Sequence, residues 1–550
     1  MKRSLFYILV FILLPHQFFA QIVIEENSLK AKEITSTGFT INPQTSTNST
    51  FDVRFVPVKN ASDTLFFSST DLARNHQIRI ENLAPTQFYK AEFSFYNERD
   101  TTFVEKYYVT SSATSGSIYA YFNHEVQANL ATFSEANAVD NALRDTLINY
   151  INRAEETIDI AIYNSFGNNP TTLIAGALNE AHANGIRVRV IHDATTSSTM
   201  IGFLNSSIGT LQRLENPNLP GIMHHKFMII DAEHEDATKS LVWTGGTNWT
   251  TGQINGPSKN NVTIVQDQSL AQTYQIEFEE MWGGSGNFPT FSNIKFGLQK
   301  EDNTPKEFLV DGIEVECYFS PTDGTESQIL DLISSAEESL VIATMLITRE
   351  NLAQAVVDKF NDNIPELAFL IDTEDYSGQQ KEFLQENLSN EVFKEYGGEG
   401  IMHHKMMVVD HGTPNAVVLN GSHNWSFSAE NRNDENTLII YDEDLANQYY
   451  QAIAFMFIES GGILSVEEFD VSDIRISPNP ATNFVDVRMN ENSLLKEVRI
   501  FSTQGNIVLN EKISNKDYCR ISIENLSQGV YILQLITQDN KISNHKLIKK

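Results

Sequence analysis

The sequence predicts a multidomain protein, with an α/β unit that repeats itself at the centre and a β-sandwich domain on either side. Three observations predict this. One histidine-containing stretch occurs twice, and strand-like and helix-like segments alternate in the same order around each copy. Towards both ends of the chain the patterning changes to short period-two strands between polar turns.

A length of 550 residues calls for several domains, and 41% hydrophobic with 10% aromatic residues suits packed cores rather than disorder. The formal net charge of −32 argues against a surface built as a whole to attract nucleic acid. It leaves room for a local basic groove and reads as a solubility feature. Met1 to Ala20 has the basic start, short apolar run and small final residue of a secretory signal. No later stretch is long and apolar enough to span a membrane, so an exported, soluble protein is expected. Cys317 and Cys519 fall in different predicted domains and read as small buried hydrophobes rather than as a disulfide.

Residues 22–110 carry alternating strands such as Phe51-Asp52-Val53-Arg54-Phe55 and Tyr89-Lys90-Ala91-Glu92-Phe93, which predicts a small β-sandwich. Its Leu83-Ala84-Pro85-Thr86-Gln87-Phe88-Tyr89 segment resembles the corner of fibronectin type III domains. That resemblance implies a spacer or adhesion module in which the Tyr89 hydroxyl bonds back across the corner.

A small polar linker, Ser111-Ser112-Ala113-Thr114-Ser115-Gly116-Ser117, leads into the repeated region. Its first half reads as a helix from Ala138 to Ala154, a strand Ile158 to Tyr163, a helix Thr172 to Asn184 and a strand Val188 to Asp193. The second half reads as a helix Ser327 to Ser339, a strand Leu340 to Met345, a helix Asn351 to Asn361 and a strand Leu367 to Asp372. Such alternation implies a parallel sheet covered by helices. Both halves close on a helix with an aromatic face, from Leu270 to Trp282 and from Leu445 to Phe457, where the aromatics read as core.

Within this frame Gly221-Ile222-Met223-His224-His225-Lys226 recurs as Gly400-Ile401-Met402-His403-His404-Lys405, 179 residues later. Each copy runs on through four apolar residues to an aspartate, Asp231 or Asp410. After a hairpin turn come Gly245-Gly246-Thr247-Asn248-Trp249 and Gly421-Ser422-His423-Asn424-Trp425. A histidine and a lysine two apart on a strand share one face. His224 with Lys226, and His403 with Lys405, therefore address a site, while His225 and His404 face away. A satisfied histidine capping a strand would explain one copy, but a frame repeated with the same Asn-Trp sequel points to chemistry.

These residues resemble the phospholipase D superfamily, whose signature is His-x-Lys, four residues, Asp, then Gly-Ser-x-Asn. The first copy departs from it in having Gly246 where the family has serine, and both turns before the glycines are longer than usual. The resemblance covers residues 119–462. It implies two similar α/β lobes, about 119–290 and 313–462, joined about a pseudo-twofold axis, with His224 and His403 meeting at the interface. One would be the nucleophile, with preference for His224, and the other the acid/base. The resemblance places phosphate on Lys226 and Lys405. Asn248, Ser422 and Asn424 would hydrogen-bond phosphate or a histidine. Asp231 and Asp410, grouped with the catalytic set, would be structural or would orient a histidine.

The chemistry suits a phosphodiester. An imidazole nucleophile splits one difficult displacement into two, a protonated imidazole serves the leaving oxygen, and two ammonium groups offset charge in the transition state. No metal or other cofactor is expected. The two imidazoles need opposite protonation states, so a bell-shaped pH dependence is expected.

Residues 471–550 begin with Ile476-Ser477-Pro478-Asn479-Pro480, pass through Gly529-Val530-Tyr531 and end on Lys546-Leu547-Ile548-Lys549. They resemble the C-terminal sorting domain of the type IX secretion system, which implies the export machinery as a partner and a secreted or cell-surface destination. The leading functional reading is an exported phosphodiesterase hydrolysing the headgroup phosphodiester of glycerophospholipids, with a monomeric catalytic unit. The alternative is a nuclease of the same superfamily acting on DNA or RNA, for which Gln212-Arg213-Leu214 and Lys259-Asn260-Asn261 are thin evidence. A non-catalytic adhesion protein is the third reading.

Overall fold

The computed structural model describes residues 21–59, 61–114, 116–462, 464, 474–489, 494–502, 507–537 and 542–550. The expected secretory signal, Met1 to Ala20, lies outside the described residues.

The N-terminal region packs a three-stranded sheet, Ala31–Thr35, Gly38–Ile41 and Ile78–Ile80, against a four-stranded one. The second sheet is ordered Leu65–Asn75, Gln44–Pro57, Phe88–Tyr96, Thr101–Val109. Period-two burial puts Phe51, Val53, Phe55, Phe93 and Phe95 into one core between the sheets. This sandwich is compatible with the fibronectin type III-like reading, with one change. The buried hydroxyl that ties two distant segments is that of Tyr108, donating to the Leu29 carbonyl at 2.8 Å. Tyr89 instead packs its ring edge-on against Phe55.

The central region forms two eight-stranded sheets of nearly the same plan. In the first lobe the order is Gly209–Arg213, Arg187–Asp193, Thr157–Ile162, Lys226–Ile230, Leu241–Gly245, Asn261–Gln266, Ser117–Phe122 and Asn137–Ala138. The second lobe repeats it as Phe393–Tyr396, Glu366–Asp372, Ser339–Thr344, Lys405–Val409, Val417–Gly421, Glu435–Tyr441, Ile313–Ser320 and, at the far edge, Glu307–Val310. The sheets are mixed, not parallel as the sequence suggested. Thr157–Ile162 pairs in parallel with Arg187–Asp193, where helix Asn169–Ala183 supplies the crossover, and antiparallel with Lys226–Ile230. After each motif strand the chain doubles back twice through loops rather than crossing over the sheet, so the two strands that follow pair antiparallel.

The lobes share a core. The closing helices Gln268–Trp282 and Glu443–Glu459 send Tyr274 and Tyr449 into it, ring-edge against Phe319 and Phe122 respectively. Phe122 belongs to the first lobe and Phe319 to the second, so each helix, seated on its own lobe's sheet, also reaches the opposite lobe. Side-chain amides stitch the same interface: Asn436 donates to Thr244 at 2.7 Å, and Asn261 donates to Asn420 at 2.8 Å.

The described C-terminal residues form a second sandwich of three and four strands around Val485, Val487, Ile500, Leu533 and Leu547. The two ends of its sequence signature meet. Asn479, between the two prolines, donates to the Lys546 carbonyl and accepts from the Ile548 N–H. Cys317 and Cys519 are both buried and free.

Candidate active site

Each motif strand begins one residue past its pair of histidines. Lys226 opens the strand Lys226–Ile230, and Lys405 opens Lys405–Val409. His224 and His403 therefore stand in extended approach segments rather than inside a strand, as the sequence had placed them. Each approach segment is paired to the other lobe. The His224 N–H donates to the Asp434 carbonyl at 2.9 Å, and the His403 N–H donates to the Lys259 carbonyl at 2.9 Å. This close docking accounts for the glycine that starts both copies. Gly221 (φ +116°) and Gly400 (φ +81°) have left-handed backbone, and a β-carbon on either would collide with backbone across the interface, at Arg432 or Pro257.

The four motif side chains gather in one buried cluster. His224 and His403 are 6% exposed, and Lys226 and Lys405 are 1% exposed. Each lysine donates to the carbonyl of its own motif histidine, at 2.6 Å for Lys226 and 2.7 Å for Lys405. Tyr163 walls the first half, its ring 4.7 Å from that of His224 and 5.3 Å from the Lys226 ammonium. Met345 takes the corresponding place in the second half, its sulfur 3.6 Å from the Lys405 ammonium.

The two histidines have different second partners. His224 Nδ1 lies 2.8 and 2.9 Å from the oxygens of the buried Glu435 carboxylate, and Ser422 donates to the same carboxylate at 2.7 Å. His403 Nδ1 lies 2.9 Å from the Gly246 carbonyl. A carbonyl and a carboxylate only accept, so both rings carry their proton on Nδ1 and keep Nε2 for chemistry. The isolated bridges pair Met223 with Asp434 and Met402 with Lys259, which makes Asn260 the counterpart of Glu435. The first lobe thus lacks both the serine hydroxyl and the acid, and a β-carbon at Gly246 would lie 3.2 Å from the His403 carbonyl.

Burial dominates the electrostatics. It pulls the His224 imidazole down to about 4, against the opposing pull of Glu435, and the Lys226 ammonium down to about 7. Burial, reinforced by Lys226, holds the Lys405 ammonium well below its ordinary value. His403 is also held well below its ordinary value, by burial and then by the two lysines. Burial pushes the Glu435 carboxyl up, but His224 and Lys226 outweigh it and hold it at about 2. A phosphate anion placed among these groups would relieve the repulsion between the ammoniums and raise all four basic groups.

Of the three expected polar site residues, Ser422 reaches His224 through Glu435, and Asn248 and Asn424 each keep a buried side-chain oxygen without a protein partner. Asp231 and Asp410 are elsewhere, and of the two roles expected for them, structural or histidine-orienting, their hydrogen bonds fit the structural one. They lie at the opposite ends of the motif strands, roughly 20 Å from His224 and His403 along the chain at ~3.3 Å per residue. Both adopt left-handed backbone, at φ 52° and 51°. The Asp231 carboxylate accepts the N–H groups of Glu155, Glu156 and Thr157 at 2.7–2.8 Å, and Asp410 accepts those of Glu337, Glu338 and Ser339 at 2.7–3.0 Å. They brace the entry of the neighbouring strand. Asp231→Ala is expected to lower stability by about 3 kcal/mol in denaturant unfolding while leaving turnover per folded molecule within about twofold.

Sequence reasoning missed Glu435, Tyr163, Met345 and the Gly246 carbonyl. One signal for Glu435 was legible: Asn433-Asp434-Glu435-Asn436 in the second half stands where the first has Ser258-Lys259-Asn260-Asn261. Behind the site His225 and His404 do face away, as expected, but into charged and polar networks. His225 meets Glu277 at 2.8 Å, and His404 meets His124 ring to ring at 3.0 Å.

Residues 147–282 and 329–456 match the family profile described as "Cardiolipin synthase, PLD-like domain". The centre of the chain is a duplicated phospholipase D-like domain. Residues 475–550 match the profile of the secretion system C-terminal sorting domain, which marks the chain for type IX export to the cell surface or beyond. The phospholipase D-like domain is 32% identical over 133 residues to mitochondrial cardiolipin hydrolase of Xenopus tropicalis, covering 24% of this chain and 56% of that protein. It is 31% identical over 128 residues to a phospholipase D of Rickettsia conorii, covering 23% of this chain and 58% of that one. The chain thus spans little more than half the length of these two relatives. The solved structure of phosphatidylserine synthase from Haemophilus influenzae aligns at 13% identity and a TM-score of 0.44, over 61% of this chain and 87% of that one.

Proposed function

We propose that the chain is an exported phosphodiesterase of the phospholipase D type, hydrolysing the headgroup phosphodiester of glycerophospholipids through a phosphohistidine on His224. The unequal support of the two imidazoles carries this assignment. A nucleophilic imidazole becomes a cationic phosphoimidazolium, and the buried Glu435 carboxylate beside His224 offsets that charge. A general acid ends neutral once it has given up its proton, and a neutral carbonyl acceptor, as His403 has, suffices.

In the first step His224 Nε2 attacks phosphorus, the bond to the leaving alcohol breaks, and His403 Nε2–H protonates the departing oxygen. In the second step His403 takes a proton from water, the resulting hydroxide attacks phosphorus, and the His224 nitrogen leaves. Lys226 and Lys405 hold the nonbridging oxygens throughout. Two features support a lipid. Phe166 and Phe427, 52% and 47% exposed, each stand three residues beyond a site residue, Tyr163 or Asn424. The acidic balance of the chain also disfavours a polyanionic substrate.

The test presents the full chain with phosphatidylcholine vesicles and, separately, with plasmid and single-stranded DNA, in a metal chelator. Choline release that survives the chelator is the expected result, because the two lysines supply the cationic stabilisation. Nicking without choline release would move the substrate to nucleic acid. Inactivity on every phosphodiester would overturn the reading.

A further inference from the structure

Beneath the site lies a buried charge cluster that the proposed chemistry does not use. Its centre is Lys300, in the segment that joins the two lobes, with its side chain fully enclosed. The Lys300 ammonium is ion-paired with Glu277, from the closing helix of the first lobe, and lies 3.3 Å from Asp434 of the second. It also donates to the Ser320 carbonyl, at the end of a second-lobe strand, at 3.0 Å. Two further bonds close the cluster: His225 meets Glu277 at 2.8 Å, and the Gly297 N–H donates to Asp434 at 2.7 Å. One cation thus ties the linker to both lobes.

The element it holds is the one that sets the nucleophile. The Asp434 carbonyl receives the His224 N–H, the Asp434 N–H donates to the Ile222 carbonyl, and the next residue along is Glu435. The second half of the site is built differently. There Lys259 takes the place of Asp434, and His404 bonds to His124 and Asn261 rather than to a carboxylate. An ammonium clamp of this kind therefore stands behind one histidine, the one that carries a carboxylate partner.

We infer that Lys300 is a positioning residue for the nucleophile. It locks the Asp434–Glu435 segment against Ile222–His224, so that the Glu435 carboxylate and the His224 imidazole keep their hydrogen-bonded geometry through both steps. The inference rests on the assignment of His224 as nucleophile. Buried charges are strongly destabilised when one partner is removed, so stability alone cannot test it. Misplacing a reacting group by about 1 Å can reduce rate by about 10²-fold without weakening substrate binding.

The experiment compares Lys300→Met, Lys300→Arg and Lys306→Met in the full chain, all assayed well below their unfolding temperatures. Lys306 is also a buried, ion-paired lysine, held by Asp302 and Asp323 outside the site. Lys300→Met is expected to lower kcat by about 10²-fold with KM within about threefold. Lys300→Arg should recover part of kcat, and Lys306→Met should lose stability with kcat unchanged. A second readout does not depend on turnover. The His224 Nδ1 proton, bonded to Glu435, should give a low-field proton resonance, assigned by its absence in His224→Ala. Lys300→Met should shift or broaden that resonance and Lys306→Met should not. An unchanged resonance and kcat in folded Lys300→Met, or equal effects of the two methionine variants, would overturn the inference. A wild-type chain inactive on phosphodiesters would overturn the functional proposal and leave the resonance to decide on Lys300.

Discussion

Alanine at His224 or His403 is expected to reduce turnover of a natural phosphodiester by at least about 10⁴-fold, with each single variant nearly as inactive as the double. The reason is that neither imidazole works alone: one forms the bond to phosphorus and the other moves the proton that lets the leaving oxygen go. A substrate with a good leaving group separates them. With a 4-nitrophenyl phosphodiester the leaving oxygen needs no acid, so His403→Ala should release a burst of about one equivalent of nitrophenol. It should then stall, because no base activates water, and protein quenched in alkaline denaturant should carry the substrate's phosphoryl group, with its remaining ester, on His224. His224→Ala should show no burst. A burst in His224→Ala and none in His403→Ala would exchange the two roles.

Glu435→Gln has the second largest expected effect, a loss of about 10³- to 10⁴-fold in kcat, by analogy with removing the carboxylate that orients a catalytic histidine. The amide keeps the shape of the side chain and removes its charge, so the phosphoimidazolium loses its buried counter-charge. The pH profile supplies the sign. His224 must be neutral to attack, and burial already brings it to about 4, so kcat/KM of the wild type should rise through about pH 4. His403 must be protonated to serve the leaving oxygen and Lys226 charged to draw in the phosphate. His403 is held well below its ordinary value and Lys226 is brought to about 7, so kcat/KM should fall by about pH 7 at the latest. Glu435 raises both His224 and Lys226. Without its charge both lose protons more readily, and both limbs of the bell should move to lower pH. Limbs that stay in place would mean that Glu435 does not act on these groups.

The buried approach to catalysis makes the shared interface decisive, because His224 and His403 are each held by the opposite lobe. A substitution that loosens the interface therefore changes both histidines at once, even when it touches neither. Asn261 and Asn436, which bond across the interface, occupy such positions.

Much was legible from local pattern. The repeated GIMHHK, the four apolar residues after each copy and the Asn-Trp sequel locate both motif strands and their lysines. They do so because side-chain direction alternates along extended backbone and needs only sequence to be followed. The two flanking β regions were legible in the same way, from period-two burial. The aspartates show the limit of pattern. Asp231 and Asp410 recur as faithfully as the histidines, yet their carboxylates cap backbone at the far ends of the strands. A repeated residue marks a repeated need, which for these two is to satisfy buried N–H groups. The strand directions were also beyond local reading, since the helix crossovers of each lobe predict parallel pairs and the hairpins that follow each motif add antiparallel ones.

Sequence by itself determined that the chain carries two copies of one His-Lys unit between two β domains, because duplication and periodicity are properties of a single strand of text. Tertiary structure alone decided that the copies are unequal: Glu435 reaches His224 across the lobe interface, 211 residues away, while His403 has the neutral Gly246 carbonyl in the place of a carboxylate. The physical reason is distance. A hydrogen bond near 3 Å between residues so far apart in the chain exists only once both lobes have folded and docked, and no local preference of either residue encodes it.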